Sequence, residues 1–370
     1  MRPSDLAGKL VISASRSMSL YCYSILRLDP YVRCGHGCIY CYTRLLPGYQ
    51  SIPKPLWGYP EALDKVLEAS SETPVIQMPF RMSALTDPLQ PIERKAKLGL
   101  DTLKIALKHK IPVLLSTKST LLAEPPWLDV VKEIAGEKKI VAQLTLTTTD
   151  NAISKALEPG APRPEERLKA VEKLSSEGVP VVVRLQPLIP GVNDDPESLE
   201  NLIDQVKAAG ALQVIAEYYR FSSWNDVDAL SKALAPRLLI YLKSKSLWEK
   251  YPSGSHKRPR KSYRLAKYRL IRDLASRKGL LFSLCREEFL NLDTASNCCG
   301  INFMHGYRLR PTLRELLGNV KGSMYVAKEE LLSIPFSSLR KGLLEHYEYL
   351  EKYHRPGKTS EEERDFKNFP

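Results

Sequence analysis

The chain has 370 residues, of which 43% are hydrophobic and 26% charged, an ordinary globular composition with room for one large domain plus an extension or for two domains. Its formal net charge of +13 favours polyanionic partners such as nucleic acid, although a well-solvated surface of the kind found in thermophile proteins is the alternative. The few, clustered cysteines exclude a secreted disulfide scaffold and no apolar run approaches the roughly 20 residues that span a bilayer, so we expect a cytoplasmic protein without a membrane partner.

The first part of the chain leads into a cysteine-rich loop. Residues 1–18 have no clear period and no long apolar core, so a flexible lead-in without a signal sequence is expected. Residues 20–28 are aromatic and β-branched enough to predict a strand. They feed residues 34–42 (CGHGCIYCY), which we call the cysteine loop.

After this loop the predicted elements alternate. Strands are predicted over 75–80, 112–117, 140–147, 179–189 and 212–219, and helices over 61–69, 91–108, 127–135, 164–177 and 196–209. This alternation indicates βαβ units and a parallel sheet. With the strand before the cysteine loop, the series makes six units, as in an open, partial (β/α)₆ TIM barrel of the α/β class. Ligand sites of barrels gather at the C-terminal ends of the strands, which is where the cysteine loop falls.

The composition changes after residue 220. Helices are predicted over 236–246 and 261–278, and the linker between them is basic and flanked by tyrosines. Basic residues interleaved with aromatics can follow a phosphate backbone and stack bases, and a solvated surface loop is the alternative. The predicted division is a lead-in (1–18), a barrel (19–220), a mostly helical extension over the open side of the barrel (221–352) and a polar tail (353–370).

The cysteine loop carries the strongest chemical signal. Cys34, Cys38 and Cys41 are too close in sequence for unstrained disulfides between neighbours, but three thiolates can surround one inorganic centre. Four thiolates complete an ordinary 4Fe–4S cluster, so three leave one iron open. By analogy with zinc, an open coordination position is typical of a catalytic site. Half of a zinc site, completed by His36 or by distant cysteines, is the alternative.

The spacing Cys-x-x-x-Cys-x-aromatic-Cys resembles the cluster-binding signature of the radical S-adenosylmethionine (SAM) enzymes. The longer run DPYVRCGHGCIYCY over 29–42 resembles the subgroup related to spore photoproduct lyase, often labelled "DNA repair photolyase-like", and the resemblance extends over residues 31–219. It implies a 4Fe–4S cluster whose open iron SAM chelates, and reductive cleavage of SAM to a 5′-deoxyadenosyl radical that abstracts hydrogen from a substrate. A lyase- or transferase-like reaction and an electron donor of the ferredoxin or flavodoxin type follow from the same resemblance.

The resemblance also implies the SAM contacts. These are Tyr40, Tyr42, Thr86, Asp87, Lys118, Thr145, Arg184, Gln186 and Ile189. Thr86 and Asp87 stand in a stretch like the one that touches the SAM amino group, and Lys118 is placed to neutralise the SAM carboxylate; a plain turn and a surface lysine are the alternatives. Arg184 lies among apolar residues, where an unpaired charge is costly, so it needs an anion from SAM or substrate. An "EP…R" element at Glu158 and Arg167 also resembles one found in the family, and we assign it no chemical role.

Two features bear on the reaction. Ala84 stands where spore photoproduct lyase has its hydrogen-donor cysteine, so reversal of thymine dimers is not expected. Cys285, Cys298 and Cys299 are candidates for an auxiliary metal or iron–sulfur cluster, for structural thiols or for a hydrogen donor. We expect a nucleic-acid substrate; the alternatives are a peptide or small metabolite, or a non-catalytic zinc or iron–sulfur protein that binds nucleic acid.

Overall fold

The computed structural model describes residues 11–15, 18–45, 52–82, 84–251, 256–317 and 323–353. Most of the predicted lead-in, nearly all of the predicted tail and the middle of the predicted basic linker lie outside these residues. The strands are β1 (Ser13–Ala14), β2 (Leu26–Leu28), β3 (Tyr31–Val32), β4 (Lys54–Pro55), β5 (Phe80–Met82), β6 (Val113–Thr117), β7 (Ile140–Thr145), β8 (Val181–Leu188), β9 (Gln213–Tyr218), β10 (Trp248–Lys250), β11 (Lys257–Pro259) and β12 (Leu281–Leu284).

The helices lie on the outside of the sheet and make up most of the C-terminal part. They are α1 (Tyr59–Ala69), α2 (Glu93–Ala96), α3 (Leu98–Lys108), α4 (Trp127–Gly136), α5 (Asn151–Leu157), α6 (Pro164–Ser176), α7 (Pro196–Ala208), α8 (Trp224–Ala233), α9 (Leu239–Lys243), α10 (Lys261–Arg277), α11 (Leu313–Leu317) and α12 (Ser337–Tyr353). In the described ranges, no helix combines the length and the apolar character that crossing a membrane requires.

A single eight-stranded sheet forms the centre, in the order β1-β2-β5-β6-β7-β8-β9-β12. β1 is antiparallel to β2, and all the other pairings in this sheet are parallel. Parallel neighbours that follow one another along the chain need crossover connections, which the helices supply. The predicted α/β partial barrel is confirmed, and β12 from the otherwise mostly helical C-terminal part extends it.

Alternation along the strands separates the two faces of the sheet. On β7, Ile140, Ala142 and Leu144 belong to the large core between sheet and helices, whereas Val141 packs with residues of the C-terminal part. Gln143 and Thr145 follow Val141 at a spacing of two residues, so they also lie on the inner face.

The C-terminal part closes one end of the inner face. A Cβ at Gly300 would lie 2.7 Å from Val182 Cγ2 and 3.3 Å from Val141 Cγ1, near the starts of β8 and β7. Cys298, Cys299 and Ile301 pack in the same buried cluster. The beginning of the barrel is therefore filled by protein, and the candidate residues lie towards the ends of the strands.

Four predicted elements differ from the observed ones. The helix expected over 236–246 is divided, because 3₁₀ turns at Pro236–Leu238 and Lys245–Leu247 flank the short helix α9. The strand expected over 20–28 is limited to β2, and the one expected over 75–80 begins only at Phe80, because Pro74–Gln77 forms a 3₁₀ helix with a proline in its first turn. The helix expected over 91–108 breaks at Lys97, which has φ of 55°. Buried Glu93 caps the second half by accepting hydrogen bonds from the amides of residues 99 and 100 at 2.9 and 2.8 Å.

Candidate active site

The cysteine loop is held at its beginning by a buried glutamine. Gln90 Oε1 accepts a hydrogen bond from the Gly35 amide at 2.7 Å, and Gln90 Nε2 donates to the carbonyl oxygen of Arg33 at 3.0 Å. Arg33 and Gly37 adopt positive φ values of 71° and 64°, so the backbone turns on both sides of Gly35. One side-chain amide thus fixes the backbone around Cys34.

The three loop thiols come from one short segment of backbone. The Cys41 amide donates to the Cys38 carbonyl at 3.2 Å, which folds the loop back on itself. Burial is the main cause that raises the pKa of Cys34 and of Cys38 to about 12, and the Cys41 thiol adds to it in both cases. Residues separated by so few positions lie near one another, and thiolates are the ligands of iron–sulfur clusters. The donor set therefore fits the expected cluster.

A single-ion site is a different arrangement. Among the residues that the structure describes, no three His, Cys, Asp or Glu side chains are gathered so as to hold one metal ion. In a 4Fe–4S cluster each cysteine binds a different iron. His36, the candidate ligand of the alternative zinc site, already has both ring nitrogens engaged, with Gly160 O at 3.0 Å and Asp87 Oδ2 at 3.1 Å.

Asp87 joins the cysteine loop to the end of β6. Its carboxylate accepts hydrogen bonds from Thr117 Oγ1 at 2.7 Å and from the Lys118 amide at 2.8 Å, besides its contact with His36. Burial alone would raise the pKa of Asp87, but His36 and these donors lower it. Asp87, one of the expected SAM contacts, thus has its carboxylate engaged with protein groups in this structure. Thr86 beside it is buried, and its hydroxyl lies 3.5 Å from the Tyr31 carbonyl.

Glu158 is the second anchor of the cysteine loop. It is 1% exposed, and its carboxylate accepts hydrogen bonds from Tyr40 and from Thr147 Oγ1. Arg167 Nη2 lies 2.5 Å from Glu158 Oε2, and Lys118 Nζ lies 4.0 Å from Glu158 Oε1. The "EP…R" element therefore supplies a buried ion pair whose carboxylate accepts a hydrogen bond from Tyr40 of the cysteine loop. This role was not predicted from the sequence.

Lys118 is a cation that lies beside the cysteine loop. Its Nζ is 5.6 Å from the centre of the Tyr40 ring. Burial would lower the pKa of Lys118, but Cys38 and Glu158 raise it. Lys118 therefore stays protonated at neutral pH, with 16% of its side chain exposed, beside the thiol of Cys38.

The backbone of the loop after α5 touches the cysteine loop directly. The Gly160 amide donates to His36 O at 2.9 Å, and the Ile39 amide donates to Leu157 O at 2.9 Å. A Cβ at Gly160 would lie 2.6 Å from Gly35 O and 2.9 Å from His36 O. Only glycine allows this approach.

We therefore expect Gly160→Ala to destabilise the protein. The added methyl group meets backbone atoms that cannot rotate away, and overpacking of this kind costs about 1–3 kcal/mol, measurable by urea unfolding. Gly136→Ala is the matched control, because an added Cβ there has nothing within 4 Å and the change is neutral or stabilising by up to about 1 kcal/mol. Equal unfolding free energies for the two variants would contradict the close contact.

Other expected SAM contacts lie along the inner face of the sheet. Thr145 pairs in register with Arg184, and Arg184 Nη1 donates to Gln143 Oε1 at 2.9 Å. Gln186 Nε2 donates to Glu217 Oε2 at 3.2 Å. Their positions follow the predicted alternation, whereas the role of Gln143 was not predicted.

The remaining expected contacts surround the cysteine loop. Ile189 is buried in a cluster against which Tyr40 packs, and its amide donates to Asn193 Oδ1 at 2.6 Å. Tyr42 is 55% exposed, and its hydroxyl donates to the carbonyl oxygen of Ala84. Ala84, which the resemblance aligns with the hydrogen-donor cysteine of spore photoproduct lyase, thus lies beside the cysteine loop.

The C-terminal cysteines lie on the inner face, close to Arg81. Cys285 directly follows β12, and Cys298 and Cys299 are buried with their sulfur atoms 3.5 Å apart. Arg81 Nη2 donates to Cys299 Sγ at 3.0 Å. The hydrogen bond from Cys298, together with the charge of Arg81, lowers the pKa of Cys299 to about 6 despite its burial.

Comparison with known proteins gives a family match for part of the chain. Residues 28–204 match the family model described as the radical SAM superfamily. An uncharacterised protein of Mycobacterium tuberculosis (strain H37Rv) is 25% identical over 193 residues, which are 50% of this chain and 56% of that protein. An uncharacterised protein of Methanocaldococcus jannaschii is 26% identical over 199 residues, 54% of this chain and 70% of that protein. The match thus spans little more than half the length of the mycobacterial relative.

Solved structures of spore photoproduct lyase share the fold. A mutant of that enzyme with bound AdoMet and dinucleoside spore photoproduct has a TM-score of 0.53 and 15% identity, covering 70% of this chain and 76% of the enzyme. A second mutant has a TM-score of 0.54 and 14% identity with the same coverage. The TM-scores support a shared fold, and the family match covers the cysteine loop and the strands from β3 to β8.

Proposed function

We propose that the radical SAM domain of residues 28–204 makes this chain an enzyme that holds a 4Fe–4S cluster on Cys34, Cys38 and Cys41, binds SAM beside it and acts on a nucleic acid. The observation that carries the proposal is the three-thiol loop, fixed on both sides by buried polar groups. When bound, the cluster and SAM would supply a 5′-deoxyadenosyl radical. A one-electron donor of the ferredoxin or flavodoxin type is the partner that this chemistry requires.

The residues around the loop would orient these groups. Gln90, Asp87 and Glu158 have their polar atoms engaged with protein partners, so they hold the loop in shape. Lys118 carries a positive charge next to Cys38. It would stabilise anionic charge at that place, both on thiolates and on the carboxylate of SAM.

A nucleic-acid substrate is supported by charge and by the fold. The formal net charge of +13 favours polyanions, and one similar structure of spore photoproduct lyase holds a dinucleoside spore photoproduct. Ala84 offers no thiol beside the loop, so photoproduct reversal is not proposed. We propose instead another radical modification of DNA or RNA.

Anaerobic purification tests the cofactor chemistry. We expect brown protein with absorbance at about 400 nm that dithionite bleaches, and formation of 5′-deoxyadenosine from SAM under reducing conditions. Colourless protein with one zinc per chain and without SAM cleavage would contradict the proposal and favour the non-catalytic alternative.

Binding to oligonucleotides tests the substrate class. A phosphate-dominated interface gives an association constant that falls steeply with salt, with a slope of about −0.9 per phosphate contact on duplex DNA. We expect such a slope in fluorescence anisotropy titrations between about 50 and 200 mM salt. Absence of binding to DNA and RNA at the lower salt concentration would contradict a nucleic-acid substrate and favour a peptide or a small metabolite.

A further inference from the structure

Two arginines project from the inner face of the sheet without a carboxylate partner. Arg81 lies on β5 and Arg184 on β8, and both are partly exposed. No carboxylate among the described residues lies within 4.0 Å of either guanidinium group. The nearby Arg220, in contrast, lies 3.0 Å from Glu217. Arginine is always protonated in proteins, so both charges are present at any physiological pH.

A neutral oxygen takes the place of a carboxylate between them. Gln143 Oε1 accepts hydrogen bonds from Arg81 Nη1 at 3.2 Å and from Arg184 Nη1 at 2.9 Å. The orientation of this amide is fixed, because Gln143 Nε2 donates to the Cys299 carbonyl at 2.7 Å. Two cations therefore share one uncharged acceptor, which brings the guanidinium groups together without neutralising them.

The thiol of Cys299 compensates one charge at most. It lies 3.0 Å from Arg81 Nη2, and a thiolate there neutralises a single guanidinium group. Arg184 has one hydrogen bond to the described protein, the bond to Gln143. Its other N–H donors are not among the fully buried atoms that lack a partner, so they are accessible to a ligand.

We propose that Arg81 and Arg184 bind an oxyanion of the substrate, a phosphate or a carboxylate group, inside the barrel. This inference rests on the proposed function, since it names a chemical group on the substrate of that reaction. Guanidinium groups match the two-oxygen edge of these anions. A partly buried charge without a counter-ion is unfavourable, so an anion that enters relieves the repulsion between the two arginines. For a nucleic-acid substrate the group is a backbone phosphate.

The carboxylate of SAM has the same chemistry and must be told apart. Lys118 Nζ lies 4.0 Å from Glu158 Oε1 and 5.6 Å from the centre of the Tyr40 ring. Arg81 Nη2, in contrast, lies 3.0 Å from Cys299 Sγ, and Arg184 Nη1 lies 2.9 Å from Gln143 Oε1. The two arginines thus belong to a part of the inner face different from that of Lys118. We assign the SAM carboxylate to Lys118 and the substrate oxyanion to the arginines.

Phosphate titration of the anaerobically purified, cluster-loaded chain tests the assignment. Sodium phosphate should raise the melting temperature of the wild type beyond sodium chloride at equal ionic strength. Arg184→Gln and Arg81→Gln should weaken phosphate binding at least about tenfold, because charge-assisted hydrogen bonds are lost. Arg184→Lys keeps the positive charge but loses the two-pronged donor geometry of the guanidinium group, so it should give an intermediate phosphate affinity. This variant replaces the glutamine variants in the test if they do not fold. Arg277→Gln, whose arginine side chain is 64% exposed, should bind phosphate like the wild type.

Saturating SAM separates the two sources of the oxyanion. Unchanged phosphate affinity in the presence of SAM is expected for a substrate site. Competition between SAM and phosphate would overturn the assignment, as would equal phosphate affinity in the wild type and Arg184→Gln, or no phosphate-specific stabilisation of the wild type. Formation of 5′-deoxyadenosine by the same wild-type preparation reports on the proposed function independently, so failure of the oxyanion site and failure of the radical chemistry are distinguishable.

Discussion

The Cys38→Ala variant is expected to lose both the absorbance at about 400 nm and the formation of 5′-deoxyadenosine, down to the level of a control without enzyme. Cys38 is the most buried of the three loop thiols, and two thiolates cannot replace three around the proposed cluster. The absorbance and the product are measured on anaerobically reconstituted protein. Urea unfolding of the metal-free proteins establishes that the variant folds.

Cys22→Ala is the matched control for this experiment. Its thiol lies outside the cysteine loop and donates to Ser24 O at 3.3 Å, so cluster and SAM cleavage should remain at the wild-type level. Retention of cleavage by Cys38→Ala would contradict the proposed cluster site. Iron analysis of the wild type adds a further distinction: about four irons per chain fit one cluster, and about eight would fit an auxiliary cluster on Cys285, Cys298 and Cys299.

The Glu158→Gln variant is expected to lower the free energy of unfolding by about 3–5 kcal/mol. Glu158 Oε2 lies 2.5 Å from Arg167 Nη2, and both side chains are at most 1% exposed. The amide carries no charge, so Arg167 is left buried without its counter-ion, which is the main source of the loss. Urea unfolding should show a lower midpoint with an unchanged slope.

Glu124→Gln is the matched control, since it removes a carboxylate from an exposed Arg–Glu pair. Arg94 and Glu124 are 2.9 Å apart with 57% and 38% of their side chains exposed, and such pairs contribute at most about 1 kcal/mol. Adding Arg167→Met to Glu158→Gln should recover part of the lost stability, because no buried cation then remains. Equal losses for the two single glutamine variants would contradict the buried ion pair.

The same ion pair predicts a pH dependence of stability. Burial raises the pKa of Glu158, but Lys118 and Arg167 outweigh burial and lower it. A carboxyl group with a lowered pKa in the folded state stabilises the protein above its unfolded pKa of about 4.3, and this contribution is lost as the pH falls through the folded value. The difference in unfolding free energy between wild type and Glu158→Gln should therefore be constant from about pH 6 to 8 and shrink below about pH 4. A difference that does not change on acidification would contradict this assignment.

Local patterns predicted most of the barrel. The strands β6 to β9 begin and end within two residues of the predicted bounds. Their runs of apolar, β-branched residues can be recognised in the local sequence, without knowledge of tertiary contacts. The strand predicted over 75–80 was misplaced, because the 3₁₀ helix Pro74–Gln77 occupies the start of this apolar run and β5 begins only at Phe80. Likewise, the break at Lys97 depends on the buried carboxylate of Glu93, which no helical period reveals.

The three-cysteine loop was determined by the sequence alone. Cys34, Cys38 and Cys41 stay close together whatever the rest of the chain does, because so few residues separate them. The partners that hold the loop were decided only by the tertiary structure: His36 meets Asp87 51 residues away, and Tyr40 meets Glu158 118 residues away. Arg81 and Cys299 are 218 residues apart. Such pairs form where parallel strands and the C-terminal part bring distant side chains to one face of the sheet, and no local period along the chain encodes that meeting.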